Sequence, residues 1–385
     1  MQRIVYLCAQ ISAKQSWNLP YYMDIVETCC NRESKVRLKA FDILKLYAIF
    51  LVLWGHSIQY FLSSTYYDEP IYRIIYSFHM PLFMMISGFF SISSMSQSPL
   101  DFVRKKFVQL ILPTFSWVVV LGLLHILSRT NFLTQSPSLW MIPIKEAIVS
   151  ILQGWFSLDP FWFLKTCFLC YLLAYLGSHL GLNKYLWMSI TLVASQCVPH
   201  FEDFNLLYPC FVVGMELREN RKFYNRVCHH YLWPLGLFMI MLCFWDQFFW
   251  GDDGFWKTMI ASYMHTNNQI LLESFSRLYK LTIGIAGSLA FIGMACALIP
   301  QEKTNKVMSL CCSWGQYTLG VYILQTILVE NILARYVVLD DLNFFVFNFC
   351  VAPIISFICL ISCIYIIKII TKSPLVAFYF FGKTK

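Results

Sequence analysis

The chain has 385 residues, of which 58% are hydrophobic and 18% aromatic, whereas only 13% are charged; its mean hydropathy is +0.59. Soluble domains carry about 25% charged residues, so this composition excludes an ordinary water-soluble protein and predicts an integral membrane protein. The formal net charge is +8. Its distribution along the chain fits membrane topology and requires no nucleic-acid partner.

Long apolar runs recur from one end of the chain to the other, and we predict that ten of them form transmembrane helices. About 20 apolar residues are needed to cross a hydrocarbon core of about 30 Å. The predicted spans are residues 41–62, 74–95, 107–128, 160–180, 184–200, 204–217, 231–250, 279–300, 314–335 and 344–370. The runs lack the alternating pattern of a membrane barrel, so the predicted fold is all-α, a polytopic transmembrane helical bundle.

The basic residues favour an orientation with both termini in the cytoplasm, because cytoplasmic loops are enriched in Lys and Arg. The predicted inner side carries Lys35, Arg37, Lys39, Arg104, Lys105, Lys106, Lys184, Arg218, Arg221, Lys222, Arg226, Lys303, Lys306, Lys372, Lys383 and Lys385. The predicted outer side carries Asp68, Glu69, Asp159, Glu202, Asp203, Asp252, Asp253, Asp340 and Asp341. An even number of spans agrees with this orientation.

Residues 1–36 are predicted to be an N-terminal extension, and residues 37–385 the membrane domain. The first residues lack the basic start and continuous apolar core of a secretory signal, and Met23 is an alternative translation start. The 15 cysteines are scattered. Cys167 and Cys170 form a C-x-x-C without a second pair or a histidine pair, so we predict packing thiols and neither disulfides nor a metal site.

The stretch "KLYAIFLVLWGH", residues 45 to 56, places Lys45 and His56 at the ends of an apolar segment. Their separation is about three helical turns, so both side chains project from nearly the same face, about 16 Å apart along the axis. Ionisable groups inside a membrane are costly and usually mark a functional site. For Lys45, an ion pair with Asp42 or snorkelling toward the headgroups is the alternative to a binding role.

A second histidine, His79, lies in "SFHMPLFMMISGFF", residues 77 to 90. In the predicted topology His56 and His79 both lie about 8–9 Å beneath the outer surface, on sequential helices that are expected to be neighbours. Pro81 removes the hydrogen bond to the carbonyl of Ser77 and predicts a kink beside His79. We therefore predict a polar cavity that contains both imidazoles, although a purely structural role is the commoner fate of a single buried histidine.

Three blocks in order resemble the acyltransferase 3 family of integral membrane acyltransferases, which O-acylate glycans in bacteria. The blocks are "VRLKAFDILKLYAIFLVLWGH", "IIYSFHMPLFMMISGFF" and "FVRKKFVQLILPTF". Two later segments, "PFWFLKTCFLCYLL" and "SWGQYTLGVYILQT", are also similar to family segments. The resemblance extends from about residue 37 onward and makes an acyltransferase the predicted function.

The resemblance also assigns expectations to single residues. The family's first helix carries an arginine, ten further residues and a histidine; here Lys45 stands in the arginine position and His56 matches the histidine. Lysine keeps the positive charge but lacks the bidentate fork of arginine, so recognition of phosphate or carboxylate there is expected to differ. Many relatives carry a histidine where this chain has Gln325, whose role the resemblance leaves open.

The implied reaction moves an acyl group, by default acetyl, from cytosolic acyl-CoA to a hydroxyl of a cell-surface or exported polysaccharide, without a bound cofactor or metal. The implied setting is the bacterial cytoplasmic (inner) membrane. His56 is expected to be the general base, and His79 to orient the substrate, share the proton or stabilise the oxyanion. A covalent acyl-histidine is a further alternative.

The remaining charged candidates are assigned to the two substrates. Lys45, helped by Arg104, Lys105 and Lys106, is expected to hold the CoA phosphates. Arg73 is expected either to bind an acidic group of the acceptor or to anchor the helix at the interface. The sequence specifies neither the sugar, nor the acyl group, nor the oligomeric state.

Two other function classes compete with the enzyme. One is a transporter or flippase that uses His56 and His79 as a proton relay. The other is a nonenzymatic subunit of a membrane assembly. The ordered match of the three blocks favours the enzyme over both.

Overall fold

A computed structural model describes residues 38–62, 66, 69–129, 145, 149, 161–196, 202–245, 269–299, 305–340 and 342–383. The described elements are helical, and none of the residues in these ranges forms a strand. The all-α prediction is therefore confirmed. The predicted N-terminal extension, Met23 and Asp159 lie outside the described residues.

The helices are labelled here in chain order, with their π-helical and 3-10 extensions. They are α1 (Lys39–Phe61), α2 (Pro70–Ser91) with the 3-10 turn Ile92–Ser94, α3 (Pro99–Lys106), the π-helical turn Phe107–Ile111, α4 (Leu112–Arg129), α5 (Trp162–His179), α6 (Lys184–Ser195), α7 (Glu202–Glu219), α8 (Arg221–His229), α9 (Leu232–Leu242), α10 (Gln269–Leu298), α11 (Lys306–Trp314), α12 (Thr318–Gln325), the π-helical segment Thr326–Ile332, the 3-10 turn Leu333–Arg335, α13 (Phe344–Val346), the π-helical turn Phe347–Val351, α14 (Ala352–Ile370) and α15 (Pro374–Phe381).

Each of the ten predicted spans contains helix in the described part of the chain. Within that part, five segments are long and apolar enough to cross a membrane: Lys39–Phe61, Pro70–Ser94, Pro99–Leu123, Ser274–Leu298 and Phe344–Ile370. A bent pair, Lys306–Trp314 with Thr318–Arg335, makes a sixth if it is counted as one span. The protein is therefore a multi-pass membrane protein, while the count of ten spans and the orientation of the termini stay predictions.

Helix α2 is the centre of the bundle, because α1, α7 and α10 all pack against it. The side chains in this region are large and fully buried, among them Phe78 and Leu82 of α2 and Phe211 of α7. Pro70 begins α2 at a position where the missing backbone N–H has no helical partner to lose. Pro81 lies inside the same helix, which continues to Ser91.

Glycines allow α2 and α7 to approach until their backbones touch. A Cβ built on Gly88 would lie 1.9 Å from the carbonyl oxygen of Phe211, and one built on Gly214 would lie 2.0 Å from that of Met85. The two contacts are reciprocal, since each helix supplies one glycine and one carbonyl. Small residues are the usual means of close helix packing in membranes, where apolar side chains gain little by leaving lipid.

Helix α10 also approaches α2 closely through a glycine, in this case at Pro81. A Cβ on Gly284 would lie 2.7 Å from Cγ of Pro81 and 3.4 Å from the carbonyl oxygen of Ser77. Ser77 is the residue whose carbonyl loses its helical donor to Pro81. The missing side chain of Gly284 therefore lets α10 cover the proline turn two residues from His79.

The predicted span 314–335 is preceded by a bend, because α11 ends at Trp314 and α12 begins at Thr318. Helices α11 and α12 meet at an angle of 59°. A Cβ on Gly315, at the break, would lie 2.0 Å from the carbonyl oxygen of Asp42. The chain thus bends where its backbone contacts the start of α1, and it continues from α12 into the π-helical segment Thr326–Ile332.

The reciprocal contact of α2 and α7 predicts that Gly88→Ala lowers the thermal stability of the purified protein. The new methyl group would overlap a backbone carbonyl, which cannot rotate away, and overpacking of this kind costs about 1–3 kcal/mol or more. The measurement is the midpoint of thermal unfolding in detergent. Gly236→Ala is the matched control, because nothing lies within 4 Å of a Cβ at Gly236 in α9. An unchanged midpoint for Gly88→Ala would contradict the packing described above.

Candidate active site

His56 lies near the middle of the second half of α1 and faces a carboxylate of another helix. Its Nδ1 is 3.4 Å from Oε1 of Glu330, and the two side chains are only 20% and 16% exposed. This is an ion-pair distance, yet the imidazole Nδ1 is buried and makes no hydrogen bond with the described residues. The ring of Tyr60, one turn further along α1, stacks on His56 with centroids 5.7 Å apart.

The π-helical segment after α12 brings Glu330 to this position. A π-helical turn contains one more residue than an α-helical turn, which changes the direction of the side chains that follow, and such turns are frequent at functional sites. Nε2 of Gln325 donates a hydrogen bond to Oε1 of Glu330 at 3.1 Å. Nδ2 of Asn331 donates to the carbonyl of Thr326 at 2.8 Å and ties the segment to its own backbone.

His79 is 4% exposed, and one of its ring nitrogens makes a hydrogen bond to the backbone. Its Nδ1 lies 2.7 Å from the carbonyl oxygen of Ile75, one turn earlier in α2. A carbonyl oxygen can only accept, so Nδ1 carries the proton and Nε2 of the neutral ring is an acceptor. The helix backbone therefore fixes which nitrogen of His79 is available to a substrate.

Tyr76 contacts His79 and the backbone of α1 at Gly55, the residue before His56. Its ring centroid is 4.7 Å from that of His79, and its hydroxyl donates to Oε1 of Gln59 at 2.8 Å. A Cβ on Gly55 would lie 2.7 Å from Cε2 of Tyr76, so the ring lies directly against the backbone of α1 beside His56. Helices α1 and α2, which carry the two histidines, pack against each other. The prediction of neighbouring helices is therefore confirmed, while the shared depth of His56 and His79 stays a prediction.

We call His56, Tyr76, His79, Gln325 and Glu330 the histidine–glutamate cluster. It joins three parts of the chain: α1, α2 and the junction of α12 with its π-helical segment. Tyr72 extends one side, because its ring stacks on Tyr76 at 3.9 Å. Arg73 is half-buried in the first turn of α2, one turn from Tyr76 on the same face of the helix.

The predicted donor-binding lysines and arginine do not share one environment. Lys106 is 8% exposed and its Nζ lies 3.6 Å from the centroid of the Tyr171 ring. Arg104 and Lys105 are exposed. Nζ of Lys45 lies 4.4 Å from the centroid of Phe90, near the end of α2. The side chains of Lys45 and Lys106 therefore point into the helical bundle, whereas Arg104 and Lys105 lie on the surface.

Lys45 and Lys106 approach the same end of α2 from different helices. Lys45 contacts Phe90, whereas Lys106 contacts Tyr171, whose hydroxyl donates to the carbonyl of Ser87 at 3.1 Å. Ser87 and Phe90 are one turn apart. No hydrogen bond or ion pair joins the Lys106 ammonium to another described residue, so its charge is balanced within these ranges only by the face of an aromatic ring.

Sequence reasoning missed Glu330, Tyr76 and Gly55. A signal for Glu330 was present, because "LVENI" places a carboxylate inside the predicted apolar span 314–335, and an ionisable residue there marks a site by the same argument as His56. Tyr76 and Gly55 carry no comparable signal, since a tyrosine and a glycine are ordinary residues of a membrane helix. Among the described residues, no group of three His, Cys, Asp or Glu side chains is arranged to hold a metal ion.

The class of the protein follows from its similarity to a known family. A family model described as "Acyltransferase domain" matches residues 38–370. The chain belongs to this acyltransferase family. The predicted family and enzyme class are therefore confirmed, and the protein is an acyltransferase that transfers groups other than aminoacyl groups.

This acyltransferase is similar to two rhizobial proteins, each named "Nodulation protein NolL". The protein of Mesorhizobium japonicum is 23% identical over 309 residues, which cover 77% of this chain and 78% of the relative. The protein of Sinorhizobium fredii is 24% identical over 316 residues, which cover 77% of this chain and 79% of the relative. No solved structure matches the chain.

Within an acyltransferase, the cluster has the parts of a general base. An imidazole beside a carboxylate is held in one orientation, and the positive charge that it gains with a proton is stabilised. Here the carboxylate of Glu330 faces Nδ1 of His56 and is itself held by Gln325. With Nδ1–H toward Glu330, Nε2 of His56 is the nitrogen available for a substrate hydroxyl.

Proposed function

We propose that this acyltransferase moves an acyl group, by default acetyl, from cytosolic acyl-CoA to a hydroxyl of a cell-surface or exported polysaccharide in the bacterial cytoplasmic membrane. The observation that supports this best is the contact between His56 and Glu330 in a membrane-embedded cluster of an acyltransferase. Acyl transfer to a hydroxyl requires a base at the attacking oxygen, and a carboxylate-oriented imidazole suits that role near neutral pH.

In the proposed reaction His56 takes a proton from the acceptor hydroxyl and later gives it to the CoA sulfur. Nε2 of His56 removes the proton of the acceptor hydroxyl as the oxygen attacks the thioester carbonyl carbon. The tetrahedral intermediate then collapses, the carbon–sulfur bond breaks, and the CoA sulfur leaves with the proton that His56 gives back. Glu330 stabilises the imidazolium between the two steps. The direct route therefore needs no covalent enzyme intermediate.

His79 is proposed to position a substrate. Its protonated Nδ1 is bound to the carbonyl of Ile75, so the neutral ring presents only an acceptor, Nε2. An acceptor suits a substrate O–H or N–H, whereas stabilisation of an oxyanion requires a donor. Of the roles expected from the sequence, orientation of the substrate fits this geometry best.

Lys106 and Lys45 are proposed to bind the phosphates of the acyl-CoA. The Lys106 ammonium is buried without an ion pair to a described residue, which is costly, and an anionic ligand would compensate its charge with charge-assisted hydrogen bonds. Lys45 lies about 16 Å before His56 along α1. That spacing would place the phosphates of one extended donor at Lys45 and its thioester at His56. Arg104 and Lys105, being exposed, are better suited to lipid headgroups than to the donor.

Arg73 is proposed to bind an acidic group of the acceptor. It is half-buried at the beginning of α2, one turn from Tyr76. In the predicted orientation this end of α2 faces the side of the membrane where exported glycans are met. A polysaccharide reaching the cluster from there would pass Arg73 before it reached His56.

The central prediction concerns His56→Ala. Transfer of labelled acetyl from acetyl-CoA to surface glycan, measured in membranes, should fall by about 10²–10⁴-fold, because this is the usual contribution of a positioned general base. His179→Ala is the matched control: His179 is exposed at the end of α5 and contacts Tyr175, outside the cluster. Undiminished transfer by His56→Ala would contradict the proposed base.

A second prediction separates Lys106 from its neighbour Lys105. Lys106→Met should raise the KM for acetyl-CoA by about tenfold, the effect of one lost charge-assisted contact, with a small change in kcat. The midpoint of thermal unfolding should not fall, since methionine replaces a buried unpaired charge with an apolar chain of similar length. Lys105→Met, the exposed control, should leave KM unchanged. An unchanged KM for Lys106→Met, or equal effects of both substitutions, would contradict the donor assignment.

A further inference from the structure

Two cysteines of different helices lie close together at the predicted inner side of the bundle. Cys228 is half-buried in α8, and Cys296 is half-buried in the last turn of α10. The hydroxyl of Tyr224 donates a hydrogen bond to Sγ of Cys296 at 3.2 Å. Tyr224 and Cys228 are one turn apart on α8 and therefore share one face of the helix. That face of α8, with Cys228 on it, is thus turned toward Cys296.

The backbones of α8 and α10 contact each other beside these thiols. A Cβ built on Gly293 would lie 2.5 Å from the carbonyl oxygen of Val227. Gly293 is one turn before Cys296, and Val227 directly precedes Cys228. A disulfide requires Cα atoms about 4.4–6.8 Å apart, whereas the axes of packed helices are usually about 8–10 Å apart. The glycine contact therefore provides the close approach that a bond between the two helices needs.

Cys228 has the features of a reactive thiol. Its pKa is lowered to about 7, above all because Cys296 hydrogen-bonds to its sulfur, with a further hydrogen bond from Tyr224. A large part of Cys228 is then thiolate at neutral pH, and the thiolate is the form that reacts with oxidants. Redox-sensing cysteines typically combine a low pKa and access to solvent with a second cysteine beside them. Cys228 and Cys296 meet these conditions.

Two other cysteine pairs among the described residues lack these features. Cys167 and Cys170, which form the C-x-x-C of α5, are buried, and so are Cys359 and Cys363, one turn apart in α14. Burial keeps an oxidant away from these sulfurs, so they fit the packing role that the sequence predicts. Cys228 and Cys296 are far apart in the sequence, and the contact between α8 and α10 brings them together.

We propose that Cys228 and Cys296 form an oxidation site that reacts with hydrogen peroxide and closes to a reversible disulfide between α8 and α10. The site is separate from the histidine–glutamate cluster and does not depend on the proposed function. In the predicted orientation it faces the cytoplasm, where disulfides are usually transient and respond to oxidants. Cellular thiols would reduce it again by thiol–disulfide exchange.

The oxidation proceeds in two steps. The thiolate sulfur of Cys228 attacks one peroxide oxygen, the O–O bond breaks, and Cys228 becomes a sulfenic acid, while the departing oxygen takes up a proton and leaves as water. Sγ of Cys296 then attacks Sγ of Cys228, the S–O bond breaks, and the hydroxyl leaves as water with the proton of the Cys296 thiol. Two thiols are thereby oxidised to one disulfide, and hydrogen peroxide is reduced to two waters.

The test treats membranes that contain the full-length protein with hydrogen peroxide, blocks the remaining thiols with N-ethylmaleimide, and analyses the peptides by mass spectrometry without reductant. The wild type should yield a linked pair of peptides that contain Cys228 and Cys296, and dithiothreitol should abolish the link. Cys228→Ser and Cys296→Ser should each abolish it as well. Cys311→Ser is the matched control, because Cys311 is also half-buried but lies in α11, and it should keep the link.

The wild-type result alone can overturn the inference, so the test does not depend on the folding of any variant. If peroxide converts Cys228 to the sulfinic acid while Cys296 stays a free thiol, the two sulfurs do not react with each other and the inference is wrong. Links from Cys228 to other cysteines in equal amount would contradict it too. Acetyl transfer is no part of the measurement, so a failure of the proposed function would leave this result unaffected.

Discussion

The contact between the His56 imidazole and the Glu330 carboxylate is the interaction on which the site depends. It joins α1 to a segment near the far end of the chain, and it does so inside a membrane domain, where an unpaired charge is costly. Gln325 donates a hydrogen bond to the carboxylate, and Tyr76 lies against His79 and against the backbone of α1 at Gly55. Each side chain of the histidine–glutamate cluster thus has a neighbour that determines its direction, which is the condition for preorganised catalysis.

Helix α2 relates the contact between His56 and Glu330 to His79 and to the proposed donor site. Reciprocal glycine contacts fasten α2 to α7, and Gly284 lets α10 close over Pro81. Contacts between backbones leave little freedom for one helix to slide or rotate past another, so the position of His79 relative to α7 and α10 is fixed. Lys45 and Lys106 lie near the C-terminal end of the same helix. One rigid helix therefore relates the proposed donor site to the proposed reaction centre.

Hydropathy and charge in the sequence were sufficient to predict the all-α membrane fold and to single out His56 and His79, because an ionisable residue in an apolar helix is unusual. Hydropathy and charge also mark Glu330 as unusual, but the direction of its side chain depends on a π-helical segment that no residue pattern predicts. They also grouped Lys105 with Lys106, since only the rotation of α3 about its axis decides that one is exposed and the other buried. The break between α11 and α12 was missed for a similar reason: Gly315 is required by a contact with the distant residue Asp42.

The most direct test of this account is a double-mutant cycle on acetyl transfer by the purified protein with His56→Ala, Glu330→Gln and the double variant. If Glu330 acts through His56, its substitution should reduce kcat in the wild type by at least about tenfold and have little further effect once His56 is gone. The double variant would then be no slower than His56→Ala alone. Independent effects, multiplying in the double variant, would contradict a joint role of the two residues.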